Sequence, residues 1–370
     1  MEPALKKVFY LITKSNWGGA QHYVYTLAKT LTLHGADVGV LAGGTGTLTE
    51  KLAEEHIRYI PIRALVRDIS LFAELRSFFE IIRILKKERP DVLHVNSSKA
   101  GGIGALAGRI AGVPRIIFTA HGWPHQEPRP LYARALIWIA SYFTVLFSHT
   151  VIVLSEREHA IAPAPLLRKK LVVIPVGIAP YPLLPYAQAR TELNLSDGFW
   201  FCTGTELTPN KGIDITLHAF AEAATDAHLL ILGTGEERNR LESLAEALGI
   251  LHRVLFAGFV PNARTLFSAI DCFVLGSRKE GLPFTLLEAG MAHVPVIATN
   301  VGSVKNIIRN EETGLLVSPQ TPKELADAMT RIYSDADLRN RIREHLHAHV
   351  IRNFSEDDMI RDTVRLYSEP

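Results

Sequence analysis

The sequence predicts an α/β protein of two Rossmann-like domains with parallel sheets, on three observations. About eleven short apolar runs, each the length of a buried strand, alternate with segments of helical composition. Many of these runs end in a glycine-bearing loop that opens a helix, the repeating unit of open α/β sheets, whose ligands sit outside the carboxyl ends of the strands. The chain has 370 residues, long for one hydrophobic core, and a proline-dense stretch at 175–185 can continue neither a helix nor a central strand. The expected division is a first domain over 1–178, a linker over 179–186, a second domain over 187–352 and a closing helix over 353–370.

Residues 8–12 form the first strand, and Gly18 and Gly19 in the following loop let the backbone approach a ligand before the helix at 23–33. Their spacing is not the GxGxxG of a dinucleotide site. Strands follow at 37–42 and 57–60. Leu71, Leu75, Phe78, Ile82 and Leu85 then recur at helical spacing, with Arg76, Arg83, Lys86, Lys87 and Arg89 among the other positions. This is either an ordinary packed helix with a solvated basic face or a helix lying on a membrane surface, with Phe72 and Phe79 widening its apolar side. Strands at 91–95 and 114–120 carry the loops at 96–102 and 121–123 to the ligand-binding edge. The apolar window 135–154 is long enough to span a bilayer, but Ser141, Tyr142, Ser148 and His149 interrupt it. It reads as a buried helix ending near Phe147, followed by a strand at 150–154; a strand at 171–175 closes the first domain.

In the second half, a strand at 200–203 leads through Lys211 and Gly212 into a helix at 213–224. Further strands lie at 228–233, 254–260, 269–276, 294–299 and 314–319, and helices at 322–333 and 335–350. The stretch 277–290, SRKEGLPFTLLEAG, puts Glu280 in the loop at a strand's carboxyl end and Glu288 inside the next helix. Between them Gly281, Leu282, Phe284 and Thr285 offer backbone N–H groups at the helix N-terminus, where unpaired donors and the macrodipole favour an anion; Pro283 offers none.

This E-x7-E element resembles the signature of retaining, nucleotide-sugar-dependent glycosyltransferases of the GT-B type, in particular glycosyltransferase family 4 of the polysaccharide-assembly kind. Further matches, taken in order, extend the resemblance over nearly the whole chain. It implies the GT-B architecture, two Rossmann-like domains facing each other across a cleft, with the donor held mainly by the second and the acceptor by the first. The resemblance makes His121, Lys211 and Glu280 the catalytic residues. His121 would lie near the donor sugar and acceptor, Lys211 would neutralise the donor diphosphate, and Glu280 would hold the sugar ring. Gly18 and Gly19 would abut the diphosphate, the backbone at Phe259 and Val260 would meet the base, Gly281, Leu282, Phe284 and Thr285 would supply amides, and Glu288 would bind ribose hydroxyls. Three departures stand out. Glu206 occupies the family's arginine position in the donor site, where a carboxylate repels a diphosphate unless it turns away or pairs with a base. Val176 and Ala179 stand where Asn and Asp are usual, and 302–306 replaces a Gly-Gly-x-Pro-Glu turn.

Composition bounds the partners. Apolar residues make up 47% and charged residues 21%, a globular balance. The two cysteines, Cys202 and Cys272, form no CxxC, which argues against a zinc site; there is no DxD near the site, and the resemblance implies enzymes that use no metal, so neither a metal nor a cofactor is expected. The cysteine usage and the direct lead from Lys6 and Lys7 into the first strand, with no cleavage region, imply a cytoplasmic setting. Residues 1–180 carry 22 Lys plus Arg against 13 Asp plus Glu, leaving the remainder at a net charge of −7. The basic first half is either a generally solvated basic face or a surface for an anionic acceptor or for peripheral contact with the anionic inner face of the plasma membrane, screened by salt. The expected function is transfer of a hexosyl unit from a nucleotide diphosphosugar, a UDP-hexose being favoured, to a glycan or lipid-linked polysaccharide precursor; no nucleic acid is involved. The alternative, motivated by Glu206, is a non-catalytic sugar-nucleotide-binding subunit of another transferase.

Overall fold

The computed structural model describes residues 7–63, 65, 71–126 and 129–368. Lys6 and the side chain of Leu71 lie outside the described residues. The chain divides into two compact units, Met1–Val176 together with Asp357–Pro370, and Gly177–Glu356.

The first unit runs β1 (Lys7–Lys14), α1 (Gly19–Leu33), β2 (Asp37–Gly43), α2 (Thr47–Glu54), β3 (Arg58–Pro61), α3 (Leu71–Glu88), β4 (Val92–Asn96), α4 (Ser98–Ala111), β5 (Arg115–Ala120), α5 (Leu131–Phe147), β6 (Thr150–Val153), α6 (Glu156–Ala160) and β7 (Leu171–Val173). Its sheet has the order β3-β2-β1-β4-β5-β6-β7, and every pairing is parallel. Tyr10 on β1 lies opposite Val40 on β2 and His94 on β4. Parallel strands are covered on both faces, so they read in sequence as near-continuous apolar runs. One face of this sheet meets Ile81 and Leu85 of α3, Ala105 of α4 and Val145 of α5 around Leu11, Val95 and Phe118.

Two helices depart from the sequence reading. In α3 the fully buried positions are Ser77, Ile81 and Leu85; of the predicted stripe Leu85 is buried and Phe78 and Ile82 pack partly against the core, whereas Leu75 is exposed, as are Phe72 and Phe79. In α5, which ends at Phe147 as expected, the buried residues are Ser141, Thr144 and Val145, and most of the large apolar residues face outward. The reason lies in α4, whose glycines let α5 approach closely only where α5 is small. A Cβ on Gly101 would lie 3.1 Å from the Thr144 methyl group.

The second unit comprises α7 (Tyr186–Glu192), β8 (Trp200–Gly204), α8 (Ile213–Glu222), β9 (His228–Leu232), α9 (Arg238–Ala247), β10 (Val254–Gly258), β11 (Cys272–Leu275), α10 (Phe284–Met291), β12 (Val296–Thr299), β13 (Leu315–Val317), α11 (Pro322–Ser334) and α12 (Ala336–Asn353). Its sheet, again parallel, has the order β10-β9-β8-β11-β12-β13. Phe201, Ile231, Val274 and Ile297 pack under Phe220, Leu325 and Met329. The strand order reverses between β8 and β11, and the loops leaving those two strands flank the crevice that such a switch point opens.

A final helix, α13 (Glu356–Ser368), packs into the first unit. The Tyr367 hydroxyl lies 2.6 Å from His94 Nδ1 and 3.2 Å from the Tyr10 hydroxyl. His94 Nε2 is 2.7 Å from Thr119 Oγ1, and Arg115 Nε donates to the Leu366 carbonyl at 2.9 Å. Burial drives the His94 imidazole down to about 3, so it is neutral: one ring nitrogen donates its proton to one hydroxyl and the other accepts from the second.

Candidate active site

The loops at the second sheet's switch point are laced together before any ligand is considered. Gly212 has φ +60°, and a Cβ there would sit 2.1 Å from the Gly276 carbonyl oxygen, so only glycine closes the turn into α8 against the loop after β11. Across the same seam Arg278 donates its backbone N–H to the Asn210 carbonyl at 2.8 Å. Its guanidinium takes Asp214 in a two-pronged ion pair at 2.8 and 2.7 Å. Gly302, at φ +56°, brings the loop after β12 beneath Glu280, where a Cβ would meet the Glu280 carbonyl oxygen at 1.9 Å.

This lacing brings Lys211 and Glu280 into contact across 69 residues of sequence, with Lys211 Nζ at 2.8 and 3.0 Å from the two carboxylate oxygens. The Ser277 hydroxyl donates to Glu280 Oε1 at 2.6 Å. Ser277 is buried, the Glu280 side chain is 7% exposed and that of Lys211 28%, so the ammonium faces outward from a carboxylate set in the wall. Gly281, Leu282 and Thr285 sit at the start of α10 with amides that no backbone carbonyl engages among the described residues. Phe284 opens that helix. Glu206 is exposed to solvent and makes none of the bonds that hold Lys211.

Glu288 lies inside α10, in a different environment from this cluster. Burial raises its carboxyl group to about 7, with Arg264 pulling the other way. Tyr181 donates to the Glu288 carbonyl at 2.8 Å, and the Arg264 guanidinium lies over the Tyr181 ring at 4.7 Å. Phe259 and Val260 follow Gly258 at the carboxyl end of β10, the Phe259 ring being half exposed. Ser277, Arg278, Asp214, Tyr181 and Arg264 had no assigned role in the sequence. A serine three residues before a loop glutamate is the one local signal that pointed to any of them.

In the first unit the switch point falls between β1 and β4. Gly18, in extended conformation, precedes α1, and both Gly18 and Gly19 are exposed. Opposite them Ser97 adopts φ +72°, a region a serine enters only when held there, and its hydroxyl lies 2.6 Å from Thr13 Oγ1. His121, after β5, places Nε2 at 3.1 Å from Asn96 Oδ1 and its ring edge-on to Tyr23. Burial lowers its imidazole to about 4, leaving it neutral. Asn96 Oδ1 only accepts, so the proton sits on Nε2 and Nδ1 is the ring's free acceptor position. Among the described residues no group of three or more His, Cys, Asp or Glu side chains could hold a metal ion.

Two parallel α/β units of this topology form the GT-B fold of glycosyltransferases. Solved structures align over nearly the whole chain: Anabaena Alr3699/HepE in complex with UDP and glucose has a TM-score of 0.87 at 20% identity, covering 98% of this chain and 99% of that one. WaaG, a glycosyltransferase involved in lipopolysaccharide biosynthesis, has a TM-score of 0.77 at 16% identity over 98% and 100%. The chain belongs to the family 4 glycosyltransferases. Residues 17–180 match the family model described as Glycosyltransferase Family 4, and residues 189–347 the one described as Glycosyl transferases group 1. Among curated relatives, the Escherichia coli UDP-Gal:alpha-D-GlcNAc-diphosphoundecaprenol alpha-1,3-galactosyltransferase is 28% identical over 322 residues, 82% of this chain and 81% of its own length. The Staphylococcus aureus capsular polysaccharide biosynthesis glycosyltransferase CapM is 22% identical over 98% of this chain and 97% of its own.

Proposed function

We propose that this glycosyltransferase moves a hexosyl unit from a UDP-hexose to a lipid-linked polysaccharide precursor, with retention at the anomeric carbon and without a metal or other cofactor. The observation that carries the reading is the Lys211–Glu280–Ser277 cluster at the switch point of the second sheet, beside the amides of Gly281, Leu282 and Thr285, which no backbone carbonyl engages among the described residues. The transition state of glycosyl transfer places positive charge on the sugar and negative charge on the departing diphosphate, so a site needs fixed donors aimed at the phosphate. On this reading the diphosphate takes Lys211 from Glu280. The freed carboxylate, still held by Ser277, accepts hydroxyl hydrogens of the sugar. Gly18, Gly19 and the amides of Gly281, Leu282, Phe284 and Thr285 add donors to the phosphate, Glu288 takes the ribose, and the backbone at Phe259 and Val260 takes the base. The exposed position of Glu206 removes its charge from the ion pair and is consistent with this role assignment.

The first unit serves the acceptor, with His121 near the transferred sugar. The E. coli relative, which acts on a diphosphoundecaprenol-linked sugar with UDP-Gal, supports a lipid-linked acceptor and a UDP donor, and so does the neighbour bound to UDP and glucose. Such an acceptor places the enzyme peripherally on the cytoplasmic face of the membrane. The test is transfer from a panel of UDP-hexoses to a polyprenyl-diphosphate-linked sugar in the presence of a chelator, with the anomeric configuration read by NMR. Retained α-linkage and full activity in chelator are expected; manganese-dependent activity or inverted product would refute it. Glu206 in the arginine position favours a second reading, a donor-binding subunit without activity of its own, which donor hydrolysis by the isolated chain excludes.

A further inference from the structure

The helix α5 is built inside out for a protein surrounded by water. Its buried residues are Ser141, Thr144 and Val145, and the two hydroxyls are spent on carbonyls of their own helix, Ile137 at 2.8 Å and Ala140 at 3.0 Å. Its outward face carries Leu131, Leu136, Ile139 and Phe143, the first 79% exposed and the last 47%. Trp138 stacks on Tyr142 and Phe143 on Phe147 along the same helix. A surface helix ordinarily shows the reverse arrangement. A contiguous apolar face of this kind marks a contact with something apolar.

The charges around it say what that something is. From residue 128 to residue 155 there is no Asp or Glu, and the single charged side chain within α5 is Arg134. The carbonyls at the helix C-terminus are held by cations, Lys170 Nζ at 2.8 Å from the oxygens of both Leu146 and Ser148, and Arg109 Nε at 2.6 Å from that of Phe147. Beyond them Leu166, Arg168 and Lys169 are exposed. A second copy of the chain docking on this face would set one basic rim against another. An anionic lipid surface complements it, and tryptophan and tyrosine at the apolar margin suit the headgroup boundary. No helix among the described residues is long and apolar enough to cross a membrane, so the contact lies in the membrane plane.

We propose that α5 is an in-plane insertion helix, with Leu136, Ile139 and Phe143 among the acyl chains of an anionic bilayer and the basic residues of its rim at the headgroups. The proposal deepens the reading of a membrane-borne acceptor and rests on that reading only for why the enzyme is there. It differs from adsorption through the basic face of α3 in its response to salt: adsorption is screened, insertion is not.

The experiment is co-sedimentation of the full chain with phosphatidylcholine vesicles and with vesicles containing roughly a quarter phosphatidylglycerol, each at low salt and at about 1 M salt, where the Debye length is near 3 Å. Wild type should sediment with the anionic vesicles and stay bound in high salt, with a blue shift of Trp138 emission that Trp138→Phe abolishes. Replacing Leu136, Ile139 and Phe143 together by Ser should lower vesicle partitioning by about tenfold or more, whereas Glu at Arg76, Arg83, Lys86 and Lys87 should lower it at low salt only. Complete release of wild type by salt, or unchanged partitioning of the triple variant, would overturn the proposal. So would a lipid-free dimer that the triple variant converts to monomer, since the face would then be a contact between copies. Donor hydrolysis by the triple variant should match wild type, which shows that it is folded. A chain that binds vesicles as described but uses no nucleotide sugar would sink the transferase reading and leave the insertion helix standing; a chain that transfers sugar yet ignores vesicles would do the opposite.

Discussion

Replacing Lys211 by Ala separates what the ion pair does for folding from what it does for catalysis. The variant leaves the Glu280 carboxylate, 7% exposed, with the Ser277 hydroxyl as its remaining partner. Breaking a fully buried pair from one side costs roughly 3–5 kcal/mol and breaking an exposed one about 0–1. Lys211 is 28% exposed, which places the loss between these limits, at about 1–3 kcal/mol. For a unit of this size each kcal/mol lowers Tm by about 2–4 °C, so thermal unfolding should shift down by roughly 2–12 °C. The transfer rate should fall by about 10²–10³, as expected when a donor aimed at developing charge is removed. Adding Glu280→Gln to Lys211→Ala removes the stranded charge, so the double variant should recover most of the Tm and none of the rate. The assay is a double-mutant cycle read by scanning calorimetry and by initial rates with saturating donor. A double variant less stable than Lys211→Ala alone, or a single variant with unchanged rate, would refute the reasoning.

Glu288 gives a pH signature. Burial raises its carboxyl group from 4.5 to about 7 in the folded chain, so the folded state holds a proton that the unfolded state has lost over that interval. The group therefore opposes folding progressively as pH rises from about 4.5 through 7, by something of the order of 3 kcal/mol once fully ionised. Glu288→Gln should accordingly unfold at a higher denaturant concentration than wild type at pH 8 and at nearly the same one at pH 5; equal differences at the two pH values would show that the burial is not felt. Tyr367→Phe removes the hydroxyl that meets His94 and Tyr10 in the core of the first unit. It should destabilise that unit by about 1–3 kcal/mol, measured by urea unfolding, and an unchanged midpoint would mean that the polar network contributes nothing.

What the sequence revealed and what it hid divide by range. The succession of strands and helices along the chain, the loops that leave β1, β8 and β11, and the glycines at Gly212 and Gly302 were legible, because apolar runs and turn residues are local signals. The pairing of Lys211 with Glu280 was not, because it depends on Gly212 and Gly276 bringing together loops more than sixty residues apart, a seam further tied by Arg278 to Asp214. For Glu206, sequence alone left open whether it faced the diphosphate or turned away; its exposure became visible only with the loop in place. The misreading of α5 has a sharper cause. Its apolar residues lie on nearly every side, so periodicity marks no inward face, and the choice was made by the packing on α4, where Gly101 leaves room for Thr144 to approach closely. The same holds for α3, where both Leu75 and Ile81 are apolar and only the neighbours decide which is inside.

The placement of α13 has a consequence for how the chain is made. His94, Tyr10 and Tyr23 are buried in the first unit, yet partners for their polar atoms, Tyr367 and Thr363, belong to the far end of the sequence. Tyr367 leaves the ribosome 273 residues after His94, an interval of roughly 15–50 s at ordinary synthesis rates. Throughout that time the whole second unit is being made while the first waits without Tyr367, the partner of the Tyr10 hydroxyl and of His94 Nδ1, Thr119 alone being in place for His94 Nε2. The first unit is thus not sealed until translation has passed the second, and a message cut short anywhere before Thr363 yields a chain whose amino-terminal unit stays open to proteases and chaperones.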